Sequence, residues 1–185
     1  MATAYYARSR RTNRIVVERA RDTSFVLDHV AEILRQVPGL DGERLANRPI
    51  HLVGFSLGGA VAHETAARDA RIASVANLDG GLYGTQPALP VARPYLMLYS
   101  AANDGMNDAL LPPHAVRCAF PGSDHLGYHD ASLWLPWRRF GRSGRAAREL
   151  LARRNRTVAS FLEQAGAADP ASSADAEALG ARRGA

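Results

Sequence analysis

Gly54-Phe55-Ser56-Leu57-Gly58-Gly59 lies between the apolar run Ile50-His51-Leu52-Val53 and the helix-forming run Ala60-Val61-Ala62-His63-Glu64-Thr65-Ala66-Ala67. The order is strand, sharp turn, helix, with a serine at the apex, and it fits a nucleophile elbow. In such an elbow Ser56 takes a positive φ that projects its hydroxyl, while Gly54 and Gly58 leave room where helix and strand would otherwise collide. The N–H of Leu57 falls at a helix N-terminus, whose dipole favours a developing oxyanion, and is the expected first donor of an oxyanion hole. A bare G-x-S-x-G arises by chance, and a turn that merely closes a βα unit is the plain alternative. The aliphatic residues before it and the Ala-rich run after it satisfy the context the elbow requires.

Upstream, with Asp22 or Thr23 as N-cap, Phe25, Val26, Val30, Ile33 and Leu34 recur at helical spacing until Pro38-Gly39. This predicts an amphipathic helix with those residues facing the core. Residues 1–21 offer only a short extended candidate, Arg14-Ile15-Val16-Val17-Glu18, and are read as a poorly determined Arg-rich segment. Asp41-Gly42 and Asn47-Arg48-Pro49 make the loop into the elbow strand. Downstream, the elbow helix runs to about Asp69 or Ala70. Ile72–Leu78 then predicts a buried strand that delivers Asp79-Gly80-Gly81. Tyr95–Tyr99 and Val116–Phe120 are the next strands, the last leading into Pro121-Gly122-Ser123-Asp124-His125. After Trp134 and Trp137 an Arg-rich helix, about 145–164, is expected to bury Leu150, Leu151, Val158, Phe161 and Leu162. The tail 166–185, rich in Ala, Ser, Gly and charge, is expected to be disordered.

This alternation implies an α/β fold over residues 22–165, a mostly parallel sheet flanked by helices with ligands at the carboxyl ends of its strands. Ser56, Asp79, Asp104 and His125 all fall at those ends.

At 185 residues and 46% apolar composition the chain buries one sizeable core, so a single domain is expected. It holds no apolar stretch of about eighteen residues, and Met1–Arg8 lacks the apolar region of a signal peptide, so stable membrane insertion is not expected and the compartment stays open. The lone Cys118, in a strand candidate, excludes an internal disulfide and reads as a small buried hydrophobe. No Cys/His cluster suggests a metal. All 23 basic residues are arginine, with a net charge of +5. They gather at the ends: six against one acid in 1–21 and eight against one in 138–156, while 22–137 holds seven against twelve acids. Without aromatic interleaving, solvated helix faces are the expectation and a nucleic-acid surface is not.

A serine alone is a weak nucleophile and needs a base and a group to orient that base. Of six histidines, His29 and His63 fall on helices, His51 on the elbow strand, and His114 at the wrong end of the last strand. His125 and His129 remain on the loop beyond it, and His125 is nearer the strand end. The order Ser56, Asp79, His125 is that of the Ser-Asp-His triad. Asp104, in Ala101-Ala102-Asn103-Asp104-Gly105, is the competing acid; Asp79 is favoured because Leu78-Asp79-Gly80 abuts a strand end directly. Asp108, Asp124 and Asp130 read as loop or capping carboxylates.

Gly54–Gly59, Asn77-Leu78-Asp79-Gly80, and Gly122-Ser123-Asp124-His125 followed by Tyr128 and Asp130 together resemble bacterial α/β-hydrolases akin to platelet-activating-factor acetylhydrolase of the plasma type, over about residues 19–134. The resemblance implies Ser56 as nucleophile, Asp79 as acid and His125 as base. It also implies hydrolysis of short-chain or oxidised acyl esters, small-molecule or lipid, without a cofactor. Cutinase-like esterases, which place the acid one strand later, would instead use Asp104.

The same family carries several strands before the helix near Asp22, including the loop that gives the second oxyanion donor. Twenty-one residues do not replace them, so the expectation is a truncated reading frame or a chain completed by a partner. The elbow strand would then have an open edge, suited to self-association. The rival class is an inactive hydrolase remnant or interaction module.

Overall fold

The computed structural model describes residues 10–85, 91–130 and 144–167; Trp134, Trp137 and most of the expected disordered tail lie outside them. In chain order the elements are α1 (Arg10–Asp28), α2 (Val30–Arg35), α3 (Gly42–Ala46), β1 (Ile50–Phe55), α4 (Leu57–Arg68), β2 (Ile72–Leu78), β3 (Tyr95–Ser100), β4 (Val116–Phe120) and α5 (Gly144–Ala167). Short 3₁₀ turns cover Asp108–Leu110 and His125–Tyr128. The four strands form one parallel sheet in the order β1-β2-β3-β4, as the alternation of apolar runs and helices predicts.

The strands divide the core by period-two alternation. Val75, Tyr95, Met97 and Tyr99 face one side with Ala62 and Ala66 of α4. Ala76, Leu78, Leu96 and Leu98 face the other with Leu150 and Phe161 of α5, where Val158 and Leu162 are partly buried. Each fully buried side chain of this size contributes about 1.5–3 kcal/mol, so β2 and β3 carry most of the sheet's stabilisation. Among the described residues β1 has a paired strand on one side only, which leaves it at the sheet edge.

Three expectations about the N-terminal part fail in whole or in part. Arg14–Glu18 is not extended: it lies inside α1, which begins at Arg10, well before Asp22 and Thr23. The β-branched Ile15-Val16-Val17 run favours a strand locally, but helical spacing lets Val16 and Ala20 bury together, and tertiary burial overrides propensity. Thr23 is an interior residue whose hydroxyl donates to the Arg19 carbonyl at 2.9 Å rather than a cap. Of the expected apolar stripe, Val30 and Leu34 are half-buried, but Phe25, Val26 and Ile33 point outward at 63%, 50% and 46% exposure. Helical periodicity establishes that a face exists, not which way it points.

Candidate active site

The site is built from two turns that repeat one backbone solution on neighbouring strands. Phe55 pairs with Leu78 at the ends of β1 and β2, and the next residue on each strand, Ser56 and Asp79, is a non-glycine at positive φ, 54° and 57°. These are the only such residues among those described. The ladder continues into both turns: Ser56 N–H donates to the Leu78 carbonyl at 2.9 Å and Asp79 N–H to the Leu98 carbonyl at 2.8 Å. Holding an L-residue there costs of order 1–3 kcal/mol, which the surrounding bonds and packing must offset.

Close packing shows how. A Cβ on Gly54 would collide with the Gly58 carbonyl, one on Gly59 with the Asn77 amide, and one on Gly80 with the Ser56 carbonyl. Gly54 thus has the role the sequence pattern assigns it. Gly58 does not, because nothing among the described residues lies within 4 Å of its would-be Cβ; Gly59 and Gly80 provide the clearance. Asn77, 0% exposed, completes the joint by accepting from Gly80 N–H at 2.8 Å.

Ser56, His125 and Asp79 come together. His125 Nε2 lies 2.9 Å from Ser56 Oγ, and its Nδ1 2.8 Å from Asp79 Oδ2. A carboxylate only accepts, so Nδ1 carries the hydrogen and Nε2 is free to accept from the serine hydroxyl. The Phe55 ring stacks on the imidazole at 4.9 Å between centroids, fixing its plane. Asp79 is buried, and its other oxygen accepts from Ser100 N–H at 2.7 Å.

The turn bearing His125 is tied down from several sides. Asp124 caps it by accepting from Gly127 N–H at 2.6 Å, the capping role expected of that carboxylate. Tyr128 donates to the Tyr99 carbonyl at 2.8 Å and stacks against Phe120. Burial, aided by the Asp79 charge, pushes the Tyr128 phenol above its ordinary range, so it stays a donor. From α5, Arg154 donates to the Tyr128 carbonyl and reaches Asp130 at 3.5 Å.

Asp104 is placed elsewhere, exposed and paired with Arg117 at 2.5 Å. The neighbouring Asn103, which sequence reasoning passed over, donates from Nδ2 to Asp79 Oδ2 at 2.9 Å. His51 bonds to Ser74 Oγ at 2.7 Å on the adjacent strand, and His63 packs edge-on to Tyr95. His129 lies 6.0 Å from Phe55 between ring centroids. No signal within the sequence distinguishes Asn103, because its partner is 24 residues away and is chosen by the meeting of two loops.

A cavity of about 380 Å³ opens beside Ser56 and His125, walled by Leu57, Tyr83, Asn103 and Met106. It is of ligand size, with the apolar surfaces of Leu57, Met106 and the Tyr83 ring facing the polar groups of Ser56, Asp79, Asn103 and His125. Among the described residues no cluster of His, Cys, Asp or Glu is arranged to hold a metal ion, and no helix is long and apolar enough to cross a membrane.

Comparison with known proteins agrees with this architecture. A structure of a ferulic acid esterase from Streptomyces cinnamoneus superposes with a TM-score of 0.61 at 24% identity, over 83% of this chain and 49% of that one. The chain thus spans about half the length of that esterase, and the likeness is one of fold. A search of curated proteins finds no match. The sequence profile of the alpha/beta hydrolase family matches residues 8–184, nearly the whole chain. The chain belongs to the alpha/beta hydrolase family.

Proposed function

We propose that the protein is a serine ester hydrolase acting through an acyl-enzyme. The observation that carries this reading is the unbroken line of hydrogen bonds from Ser56 Oγ through His125 to Asp79, set at an elbow whose serine has φ 54°. Ser56 attacks the ester carbonyl while His125 Nε2 takes its proton. The carbonyl oxygen gains negative charge beside the Leu57 N–H at the start of α4. His125 passes the proton to the leaving alcohol, then activates water to release the acid, while Asp79 holds the ring and stabilises its protonated form.

Asp79 is the acid in this proposal, and the ion pair of Asp104 with Arg117 argues against the cutinase-like alternative. The narrower kinship with plasma-type platelet-activating-factor acetylhydrolases, and with it a preference for short or oxidised acyl esters, rests on the three motifs quoted above. From the ferulic acid esterase we carry over only the bond class, a carboxylic ester. Self-association along the outer side of β1 belongs to the same proposal, since that strand is paired on one side only among the described residues.

The test is hydrolysis of p-nitrophenyl acetate by the purified chain and by Ser56→Ala. Loss of turnover in the variant is expected; equal rates would end the enzyme reading and leave the remnant or interaction module. Sedimentation at the monomer mass over a wide range of concentration would remove self-association.

A further inference from the structure

The mechanism makes no use of Glu64, although it is 1% exposed in the middle of α4. A buried carboxylate is costly unless charge and hydrogen bonds compensate it. Here the compensating groups come largely from one segment, the strap Gly80–Thr85 that leaves Asp79. Thr85 donates to Glu64 from both its N–H, at 3.3 Å, and its hydroxyl, at 2.8 Å. Arg68 Nε donates to the same carboxylate at 2.5 Å, and the Arg68 guanidinium also donates to the Thr85 hydroxyl. Gly84, at φ 140°, lies so close that a Cβ would strike Glu64 Oε2. Glu64 therefore fastens the far end of the strap to the elbow helix.

The near end is fastened independently. Asn107, fully buried, donates to the Gly80 carbonyl at 2.9 Å and accepts from Leu82 N–H at 3.2 Å. Between the two anchors stands Tyr83, whose ring forms a wall of the cavity beside Ser56. The ring's place is narrow, since a Cβ on Gly81 would come within 2.5 Å of Tyr83 Cε2. A side chain held on a twice-anchored strap presents a fixed surface to whatever enters, and Met106 supplies a second apolar wall.

We propose that Tyr83 is a specificity-determining residue of this site, reading the bulkier apolar or aromatic part of the ester, and that Glu64 is its positioning residue. This rests on the serine hydrolase reading given above. A rigid aromatic wall discriminates by fit, and contacts of this kind are worth about 10- to 200-fold in kcat/KM between substrates that differ in one apolar group.

Two matched pairs test it: p-nitrophenyl benzoate against p-nitrophenyl acetate, and phenyl acetate against ethyl acetate. Tyr83→Ala, with Tyr83→Leu as a milder variant should the first fail to fold, is expected to change the kcat/KM ratio in one pair by about tenfold or more. Glu64→Gln, which keeps the shape but not the charge, is expected to move the same ratio in the same direction by a smaller factor, through KM more than kcat. Ratios unchanged in both pairs, with Ser56-dependent hydrolysis intact, would overturn the proposal. Binding of N-phenylacetamide, followed by calorimetry, separates this failure from that of the hydrolase reading. If wild type shows no Ser56-dependent turnover yet binds the amide more weakly on Tyr83→Ala substitution, the wall stands and the chemistry falls. If binding is also unchanged, the wall is overturned as well.

Discussion

The turns at Ser56 and Asp79 share a backbone conformation and lie side by side, yet they are supported very differently. Asp79 follows an interior strand; Ser100, Asn103 and His125 all donate to its carboxylate, and Asn77 braces the backbone beneath it. Ser56 follows the edge strand β1, and its support comes from the β2 side, through the Leu78 carbonyl and the close approach of Gly80. Asp79 is over-determined, and among the described residues Ser56 is held by neighbouring strands from the β2 flank alone. The difference teaches that the strained geometry of Ser56 depends on the Asp79 turn, so disturbances on the Asp79 side should reach Ser56 while the reverse effect is weaker.

The largest effect should come from Asp79, the proposed acid. Asp79→Asn is expected to lower kcat by about 10⁴-fold, because an amide facing Nδ1 favours the wrong tautomer of the imidazole. Asp104→Asn should leave the rate near wild type, and a collapse of rate there would reverse the assignment. Next, Gly59→Ala forces the helix away from Asn77 and should cost about 1–3 kcal/mol in urea unfolding, with activity falling in step. Gly58→Ala, with open space around it, should be nearly neutral in stability. Equal losses at both positions would erase the distinction drawn between the two glycines.

Removing the third carboxylate donor is a smaller perturbation. Asn103→Ala should reduce kcat by about 10- to 100-fold, as expected when a hydrogen bond to a charged group is lost, with little change in KM for p-nitrophenyl acetate. A change confined to KM would make Asn103 a substrate contact instead. The smallest effect lies at the far end of α4, where Asp69 caps the helix. Its bond to the Arg71 guanidinium holds the Asp69 carboxyl well below the usual carboxylate range, with Ser24 assisting and burial opposing. A depressed folded-state pKa gives stability that is present above the unfolded value, about 3.9, and is lost as the pH falls below it. Asp69→Asn should therefore flatten the acid limb of a stability profile, by under about 1 kcal/mol because Arg71 is 40% exposed and screened. An unchanged acid limb would show that the Asp69–Arg71 bond contributes no pH-dependent stability.

The strands and the elbow were legible because their signals are local: short, predominantly apolar runs for β2 and β3, and a serine spaced between glycines for the turn. Asp79 stands directly beyond the end of β2, whereas His125 lies in the loop after β4, separated from Phe120 by Pro121-Gly122-Ser123-Asp124, and chain order alone suggests that these two meet. What escaped depends on distant partners. Nothing around Asn103 announces its bond to Asp79, and nothing around Glu64 announces Thr85, 21 residues away. Val16 and Ala20 settle the helical state of α1 by burial, against a β-branched run that reads otherwise. The outward face of Phe25 and Ile33 was hidden because periodicity carries no direction. Gly58 was credited with clearance that Gly59 supplies, since a motif gives spacing but not the neighbour each hydrogen faces.

The fastening of residues 80–85 at both ends has an evolutionary corollary. The bonds from Glu64 and Asn107 reach the backbone of residues 80, 82 and 85 and the Thr85 hydroxyl, so these fastenings do not depend on which side chain stands at position 83. Under the proposed mechanism, lineages could therefore trade one wall of the crevice for another while Ser56, Asp79 and His125 keep their places, and divergence in preference should register at position 83 first.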